Sequence, residues 1–170
     1  TKPVGAASVT IAEKRELASA EEVAAAVVLM RRLNKFGARA MRAAGVKAAT
    51  DITGFGLLGH AGNIARASNM VLHIDSTAVP LYPGAATHAE NGVFSGGAAR
   101  GRETLASLVT IADGVPEWLS SIGFDAETSG GLLVCVPADR VKDFEDAMPA
   151  DEPFGWVGEV REGAAQVVLS

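Results

Sequence analysis

The stretch Ala49–His60, which reads ATDITGFGLLGH, limits the fold of this chain more than any other feature. A short, mostly apolar run from Val46 to Asp51 comes first, two closely spaced glycines follow, and a segment with helical periodicity begins after them. This order predicts a strand, a tight turn and a helix. The first N–H groups of a helix have no partner within the helix, so such a turn attracts anions.

Asp51 stands at the end of the predicted strand, directly before the turn. Carboxylate oxygens are ligands that Mg²⁺ prefers, so Asp51 is the candidate ligand for a cation that accompanies phosphates. An aspartate at this place can also simply cap the turn, and we favour metal ligation over that role. One carboxylate does not complete a magnesium site, so further ligands must come from elsewhere.

Two groups of residues are candidate anion contacts. Thr53, Gly54 and Gly56 form the turn itself, although an ordinary strand-to-helix turn needs glycine as well. Thr128, Ser129 and Gly130 precede an apolar run of strand length, Gly131 to Val136. The residues alone leave open whether this second group is a plain turn or a further lining of hydroxyl and N–H groups, and its placement in the same cleft follows only from the family resemblance described below.

His60 and Cys135 are predicted to have structural roles. A lone histidine one turn into a helix is more often packed or hydrogen-bonded than a ligand, and the three histidines show no zinc-like spacing. Cys135 lies inside the run LLVCV, which predicts a fully buried strand rather than a reactive thiol.

Composition excludes several classes of protein. The 170 residues suffice for one domain with its own core, and the net charge of −5 argues against a nucleic-acid partner. No apolar run approaches the roughly 20 residues of a membrane helix, and no secretory signal opens the chain. A single cysteine excludes an internal disulfide framework. We therefore expect a cytoplasmic domain, and the start at Thr1 without methionine suggests a processed or excised fragment.

The chain is predicted to divide at residue 19. Residues 1–18 read as a linker or N-terminal extension, irregular through Ala12 because Pro3 and Gly5 interrupt regular structure. Residues 19–170 read as the folded domain. It opens with a capping box, Ser19 with Glu22, ahead of a long helical pattern that Gly45 ends and Gly37 bends or divides.

The remaining pattern mixes helices with strands. Strands are predicted at about 46–51, 70–75, 131–136, 154–160 and 166–169, the last two as a closing pair, and helices at about 56–68, 85–90 and 138–148, with 104–123 partly helical. The elements lack the regular spacing of a doubly wound sheet. The predicted fold class is therefore α+β, a layered α/β sandwich.

Thr50–His60 resembles the signature of the C-terminal half of selenophosphate synthetase (selenide, water dikinase), within the aminoimidazole ribonucleotide synthetase-like superfamily. Lys2–Gly5, Pro80–Gly84 and Thr128–Leu133 match in the same order, so the resemblance covers nearly the whole chain. It implies the fold of the C-terminal domain of that superfamily. A bare Gly-x-Gly would be unspecific, but the eleven-residue match is not.

The resemblance also implies a function. The whole enzyme would make selenophosphate, AMP and orthophosphate from selenide, ATP and water, with Mg²⁺ at the ATP phosphates and Asp51 among its ligands. The nucleophile (cysteine or selenocysteine), a lysine and further metal-binding aspartates would lie in a missing N-terminal domain. This fragment would then hold no catalytic residue and be inactive alone. The full-length protein would be a homodimer.

Two segments depart from the family pattern. Many members carry Gly-Gly-Thr-x-x-Asn, whereas here Gly96-Gly97 is followed by Ala98 and, at the Asn position, Gly101. The commoner Asp-Pro-Gln is here Asp125-Ala126-Glu127. The changes leave the fold assignment intact but weaken any polar contact expected from the Gly96 loop.

Two alternatives stay open. The chain could be a non-catalytic interaction or regulatory domain of the same fold. Ala98 and Gly101 argue mildly for this alternative, and retention of Asp51 and both turn glycines argues against it. It could also belong to another ATP-dependent synthetase or kinase of the superfamily, such as aminoimidazole ribonucleotide synthetase. Phe55 and Leu57–His60 favour the selenium enzyme over the second alternative.

Overall fold

The computed structural model describes every residue from Thr1 to Ser170. Its helices are α1 Ala6–Lys14, α2 Ala20–Arg31, α3 Lys35–Ala43, α4 Gly56–Ser68, α5 Ala85–Glu90, α6 Gly96–Thr104, α7 Glu117–Phe124 and α8 Val141–Ala147. Its strands are β1 Ala48–Asp51, β2 Met70–Ile74, β3 Val109–Ile111, β4 Leu132–Cys135, β5 Gly158–Glu162 and β6 Gln166–Leu169. The predicted α+β class is confirmed.

The strands form two sheets. The larger has the order β3-β6-β2-β5, in which β6 is parallel to both neighbours and β5 is antiparallel to β2. The smaller is the antiparallel pair β1-β4, with Asp51 opposite Leu132. The two closing strands predicted as a pair therefore both bond to β2 rather than to each other.

Helix α4 connects the two sheets and carries much of the core. It packs against β2 and β6 of the larger sheet and against β1 and β4 of the smaller one. Leu58 and Ala61 of this helix are fully buried and share one apolar cluster with Leu72 and Val167. Truncating a buried leucine such as Leu58 typically costs about 2–5 kcal/mol. Helix α4 is thus held in place by contacts with both sheets.

Residues 1–18 contain a helix where the sequence predicts an irregular extension. Val4, Ala6 and Val9 of this segment join the main apolar cluster. The N-terminus of α1 is held by Glu127, whose carboxyl accepts the N–H of Gly5 at 2.5 Å and that of Ala6 at 3.2 Å. The prediction failed because this capping group lies far away in the sequence, where no local pattern can reveal it.

The long helical pattern after residue 19 is two helices. The capping box is confirmed, since the Ser19 hydroxyl accepts the Glu22 N–H and the Glu22 carboxylate accepts the Ser19 N–H. The chain breaks at Arg32, which is extended, and not at Gly37. Gly37 instead lies buried within α3, where a Cβ would come 3.2 Å from the Leu132 side chain.

Candidate functional site

The turn between β1 and α4 requires glycine at position 56, whereas the space around Gly54 is open. Gly56 has φ +67°, and a Cβ there would lie 2.6 Å from the carbonyl oxygen of Asp125. Only glycine tolerates both the positive φ and this close backbone approach. A Cβ at Gly54 would meet no atom within 4 Å. No side chain caps α4, so the N–H groups of its first turn have no side-chain acceptor.

The two predicted groups of anion contacts lie side by side. The carbonyl oxygen of Thr53 accepts the backbone N–H of Glu127 at 3.0 Å, and the N–H of Ile52 donates to the carbonyl of Gly131 at 2.8 Å. A Cβ at Gly130 would collide with the carbonyl oxygen of Ile52. Glycine at position 130 is therefore what lets the Thr128–Gly130 loop approach the end of β1.

The predicted site residues differ in exposure. Those exposed to solvent are Asp51, Gly54, Thr128 and Ser129, and Thr53 is half-buried. Gly56 and Gly130 are buried, and the N–H of Gly56 already donates to the carbonyl of Thr53 at 3.0 Å. At this end of the β1-β4 pair, a ligand can thus reach one carboxylate, several hydroxyl groups and exposed main-chain groups.

His60 holds the side chain of Thr53. Its Nε2 lies 3.0 Å from the Thr53 hydroxyl, and its Nδ1 lies 3.5 Å from the hydroxyl of Thr50. Burial lowers the pKa of His60, and the negative charge of Asp51 opposes that shift. The ring is therefore mainly neutral at pH 7, and one of its nitrogens can accept a hydrogen bond from a hydroxyl group. The prediction that His60 is a packed, hydrogen-bonded residue is confirmed.

The Thr128–Gly130 loop is clamped by groups from the start of the chain and from α2. Ser129 has φ +55°, and its hydroxyl donates to the carbonyl of Met30 at 2.7 Å. Lys2 Nζ donates to the Ser129 carbonyl at 2.7 Å, and Asn34 Nδ2 donates to the Gly130 carbonyl at 2.9 Å. Sequence reasoning did not assign Lys2 or Asn34 to the site. Lys2 does lie in the matching segment Lys2–Gly5, which was the available signal.

The unusual segment Asp125-Ala126-Glu127 is a buried support for this loop. Asp125 is 1% exposed and accepts the N–H and the hydroxyl of Ser95, which caps α6. Glu127 is 5% exposed, and burial raises the pKa of its carboxyl to about 8, with a further contribution from the charge of Asp125. The carboxyl is therefore mainly protonated at pH 7. Burial thus keeps this acid largely neutral, and a neutral carboxyl resembles the glutamine that the commoner family pattern implies at this position.

The residues present fit a shared magnesium site and not a complete one. Asp51 offers an exposed carboxylate next to hydroxyl groups, which suits a hard cation. No group of three or more histidine, cysteine or acidic side chains comes together anywhere in the chain. Asp51 can thus supply one ligand, and the remaining ligands would have to be water, phosphate oxygens or groups of another domain.

Cys135 is less buried than the sequence predicts. Its side chain is half-buried, because β4 bonds to β1 alone and its other edge borders a cleft. Burial still raises the pKa of the thiol, which disfavours the reactive thiolate. The expected fully buried strand is therefore wrong, while the inert character of the thiol stays a prediction.

The fold and this site define a class of protein. The family described as AIR synthase related protein, C-terminal domain, matches residues 1–169, and the chain belongs to this family. No helix has the length and apolar character needed to span a membrane. Solved structures have the same fold. Thiamine-monophosphate kinase from Stenotrophomonas maltophilia K279a superposes over 99% of this chain and 48% of the kinase chain, with a TM-score of 0.66 and 19% sequence identity. Hydrogenase maturation protein HypE in complex with ATP gives a TM-score of 0.62 at 18% identity, over 99% of this chain and 45% of its own.

Among curated proteins, the chain is similar to selenide, water dikinases. It is 42% identical over 143 residues to that of Porphyromonas gingivalis, covering 84% of this chain and 40% of the relative. It is 37% identical over 164 residues to that of Caldanaerobacter subterraneus, covering 95% of this chain and 47% of the relative. The predicted resemblance is thus confirmed. The chain spans less than half the length of these relatives.

Proposed function

We propose that this chain is the C-terminal half of a selenide, water dikinase and forms one wall of its Mg-ATP cleft. The whole enzyme would convert selenide, ATP and water to selenophosphate, AMP and phosphate. The observation that carries the proposal is the hydrogen bond between Glu127 and Thr53, which joins the two matching segments at one exposed site. The similarity to selenide, water dikinases at 37–42% identity supports the substrate assignment.

Each site residue has a task in this proposal. Asp51 would hold Mg²⁺, which would neutralise charge on the ATP phosphates, and phosphoryl transfer depends chiefly on such positioning and neutralisation. Thr53 and Gly54, with Gly56 behind them, would line the phosphates from the start of α4. Thr128, Ser129 and Gly130 would line the same cleft, with the Ser129 hydroxyl exchanging its bond to Met30 for a ligand or keeping it as a support.

The remaining parts of the site would come from an N-terminal domain of the same protein. Large apolar side chains exposed near the site suit such a contact, notably Phe55 at 69% and Leu33 at 71% exposure. Apolar residues at this exposure would become buried when the cleft closes. The full-length protein would act as a homodimer.

The rival functions are less well supported. The similarity of 37–42% to two curated selenide, water dikinases favours that enzyme over another ATP-dependent synthetase of the superfamily. A non-catalytic interaction or regulatory domain would have no need for the exposed carboxylate of Asp51 beside an uncapped helix.

The test is a product assay on the full-length protein. Phosphorus NMR of a reaction with ATP, Mg²⁺ and selenide should show AMP, orthophosphate and selenophosphate, with AMP formation dependent on selenide. The 170-residue chain alone should form none of them. Selenide-independent ATP use by the full-length protein, or substantial turnover by the chain alone, would refute the proposal.

A further inference from the structure

The loop Thr128–Gly131 uses its carbonyl groups within the protein and leaves its N–H groups free. The carbonyl oxygens of Ser129, Gly130 and Gly131 each accept a hydrogen bond from a distant segment of the chain. None of the four main-chain N–H groups from Thr128 to Gly131 donates to an acceptor in the chain. The loop therefore presents a run of unused donors.

The conformation of this loop suits an anion. Gly130 and Gly131 are buried, and buried N–H groups in folded proteins are nearly always paired. Ser129 has φ +55°, and successive N–H groups next to a left-handed residue form the concave nest that binds oxyanions. An oxyanion beside the loop would supply the acceptors that the chain itself lacks.

Lys2 holds the loop from its carbonyl side. Only 7% of the residue is exposed, and the one hydrogen bond of its ammonium group goes to the Ser129 carbonyl at 2.7 Å. No acidic side chain lies within 4 Å of it, because Glu152, in the small pocket beside Lys2, pairs with Arg32 at 3.7 Å instead. A buried cation without a counter-ion is costly, and an anion nearby offsets that cost.

Asn34 holds the next carbonyl of the loop. It occupies the N-cap position of α3, but its side chain makes no capping hydrogen bond and donates instead to the Gly130 carbonyl at 2.9 Å. Asparagine is among the preferred N-cap residues, where its side chain usually accepts a free N–H of the helix. The side chain of Asn34 thus serves the loop rather than the helix.

The planarity of the peptide bond links these two side chains to the free donors. The C=O of Ser129 and the N–H of Gly130 belong to one trans peptide group, so they point in opposite directions. The same holds for the C=O of Gly130 and the N–H of Gly131. By fixing the two carbonyls, Lys2 and Asn34 therefore fix the directions of the two buried N–H groups.

We propose that Lys2 and Asn34 are positioning residues that aim the two buried N–H groups of the loop at a phosphate-type oxyanion in the cleft. The inference deepens the proposed function, on which it rests for the presence of phosphate at this site. Each side chain acts through the carbonyl that it holds. The anion is recognised by main-chain groups, while the Ser129 hydroxyl stays bonded to the carbonyl of Met30.

Amide NMR of the full-length protein with isotope-labelled glycine tests the proposal. Mg-ATP and orthophosphate are titrated separately in the absence of selenide. The amide resonances of Gly130 and Gly131 should shift with at least one of these anions, and the anion with the lower midpoint is the occupant.

Two variants test the positioning roles. Lys2→Met and Asn34→Leu each remove a donor to a loop carbonyl, so each should raise the midpoint roughly tenfold. Asn34→Leu changes no charge, so its effect cannot come from a weaker electric field at the site. The matched control is Lys14→Met, which removes an exposed lysine in the last turn of α1 and should leave the midpoint unchanged.

Two results would overturn the proposal. One is that neither anion shifts the two glycine amides of the wild-type protein, which would leave the nest to water. The other is a folded Asn34→Leu variant that binds with the wild-type midpoint. If Lys2→Met does not fold, Asn34→Leu decides alone, since the side chain that it removes caps no helix. Shifted glycine amides in a protein whose AMP formation does not need selenide would refute only the proposed function.

Discussion

The backbone N–H of Glu127 donates to the carbonyl oxygen of Thr53 at 3.0 Å, and this bond joins two distant parts of the sequence into one site. Thr53 follows the carboxylate of Asp51, and Glu127 precedes the Thr128–Gly130 loop. The same Glu127 anchors α1 through its side chain. Support of the loop and folding of the N-terminal segment are therefore coupled in one residue.

Replacing Asp51 with asparagine in the full-length protein should abolish most activity and leave the fold intact. The side chain is exposed and makes no hydrogen bond, so the melting temperature should change little. Loss of the charge that Mg²⁺ requires should lower kcat/KM roughly 100-fold, which corresponds to about 2.7 kcal/mol. Steady-state assays of AMP formation and thermal melts measure the two effects.

The matched control for this change is Asp113→Asn. Asp113 is also exposed but lies on the loop after β3, outside the candidate site. It should leave both activity and melting temperature unchanged. Wild-type activity of the Asp51 variant would reduce Asp51 to a turn residue.

Stability should depend on pH through Glu127. Burial raises the pKa of this carboxyl from 4.5 to about 8, so the folded state binds the proton more tightly than the unfolded state. Its stabilising contribution is complete below pH 4.5, decreases as pH rises, and is lost by about pH 8. Glu127→Gln cannot ionise, so the melting temperature of the variant minus that of the wild type should increase between pH 5 and pH 8.

Taking this difference removes the effect of the buried α-amino group of Thr1. Burial lowers the pKa of that group from 8.0 to about 6, so its effect on stability has the opposite sign, but it is the same in both proteins. A difference in melting temperature that is constant from pH 5 to pH 8 would show that Glu127 is ionised in the fold throughout this range.

The hydrogen bond between His60 and Thr53 should appear in a double-mutant cycle. Thr53→Val and His60→Leu should each lower the free energy of unfolding by about 1–3 kcal/mol, because each leaves a shielded polar partner unsatisfied. The double variant should lose less than the sum, with a coupling energy of about 1 kcal/mol. The control pair replaces Thr50 with valine instead. Thr50 lies 3.5 Å from the ring, so its coupling should be smaller, and equal coupling would contradict the geometry.

Cys135 should react slowly with thiol reagents in the native protein. Its half-buried position and raised pKa both reduce the thiolate available at pH 7. Labelling in native buffer should be at least roughly tenfold slower than after unfolding in guanidinium chloride. Equal rates would show that the cleft beside β4 leaves this thiol fully accessible.

Local patterns predicted the parts of the fold that local interactions determine. The limits of α4 follow from the glycine turn and the helical periodicity behind it, and the Ser19–Glu22 capping box is contained within four residues. The short strand Val109–Ile111 escaped prediction because three residues carry little periodic signal. Helix α1 escaped because its cap comes from Glu127.

The same distinction applies to the site. The sequence alone reveals one part of the site, because Asp51, Thr53 and the two turn glycines lie within six consecutive residues. The bond from Lys2 to Ser129 and the burial of Glu127 arise only when distant segments meet. No spacing rule connects such residues.

The central claim is that this chain supplies only one wall of a nucleotide site, and calorimetric titration with ATP and Mg²⁺ tests it most directly. The start of α4 offers an anion about 1 kcal/mol, and Asp51 repels phosphate unless a cation lies between them. We expect a millimolar or weaker dissociation constant for the chain alone, which corresponds to about 4 kcal/mol or less, and tight binding only in the full-length protein. A micromolar dissociation constant for the isolated chain would contradict it, since the chain would then carry a complete nucleotide pocket.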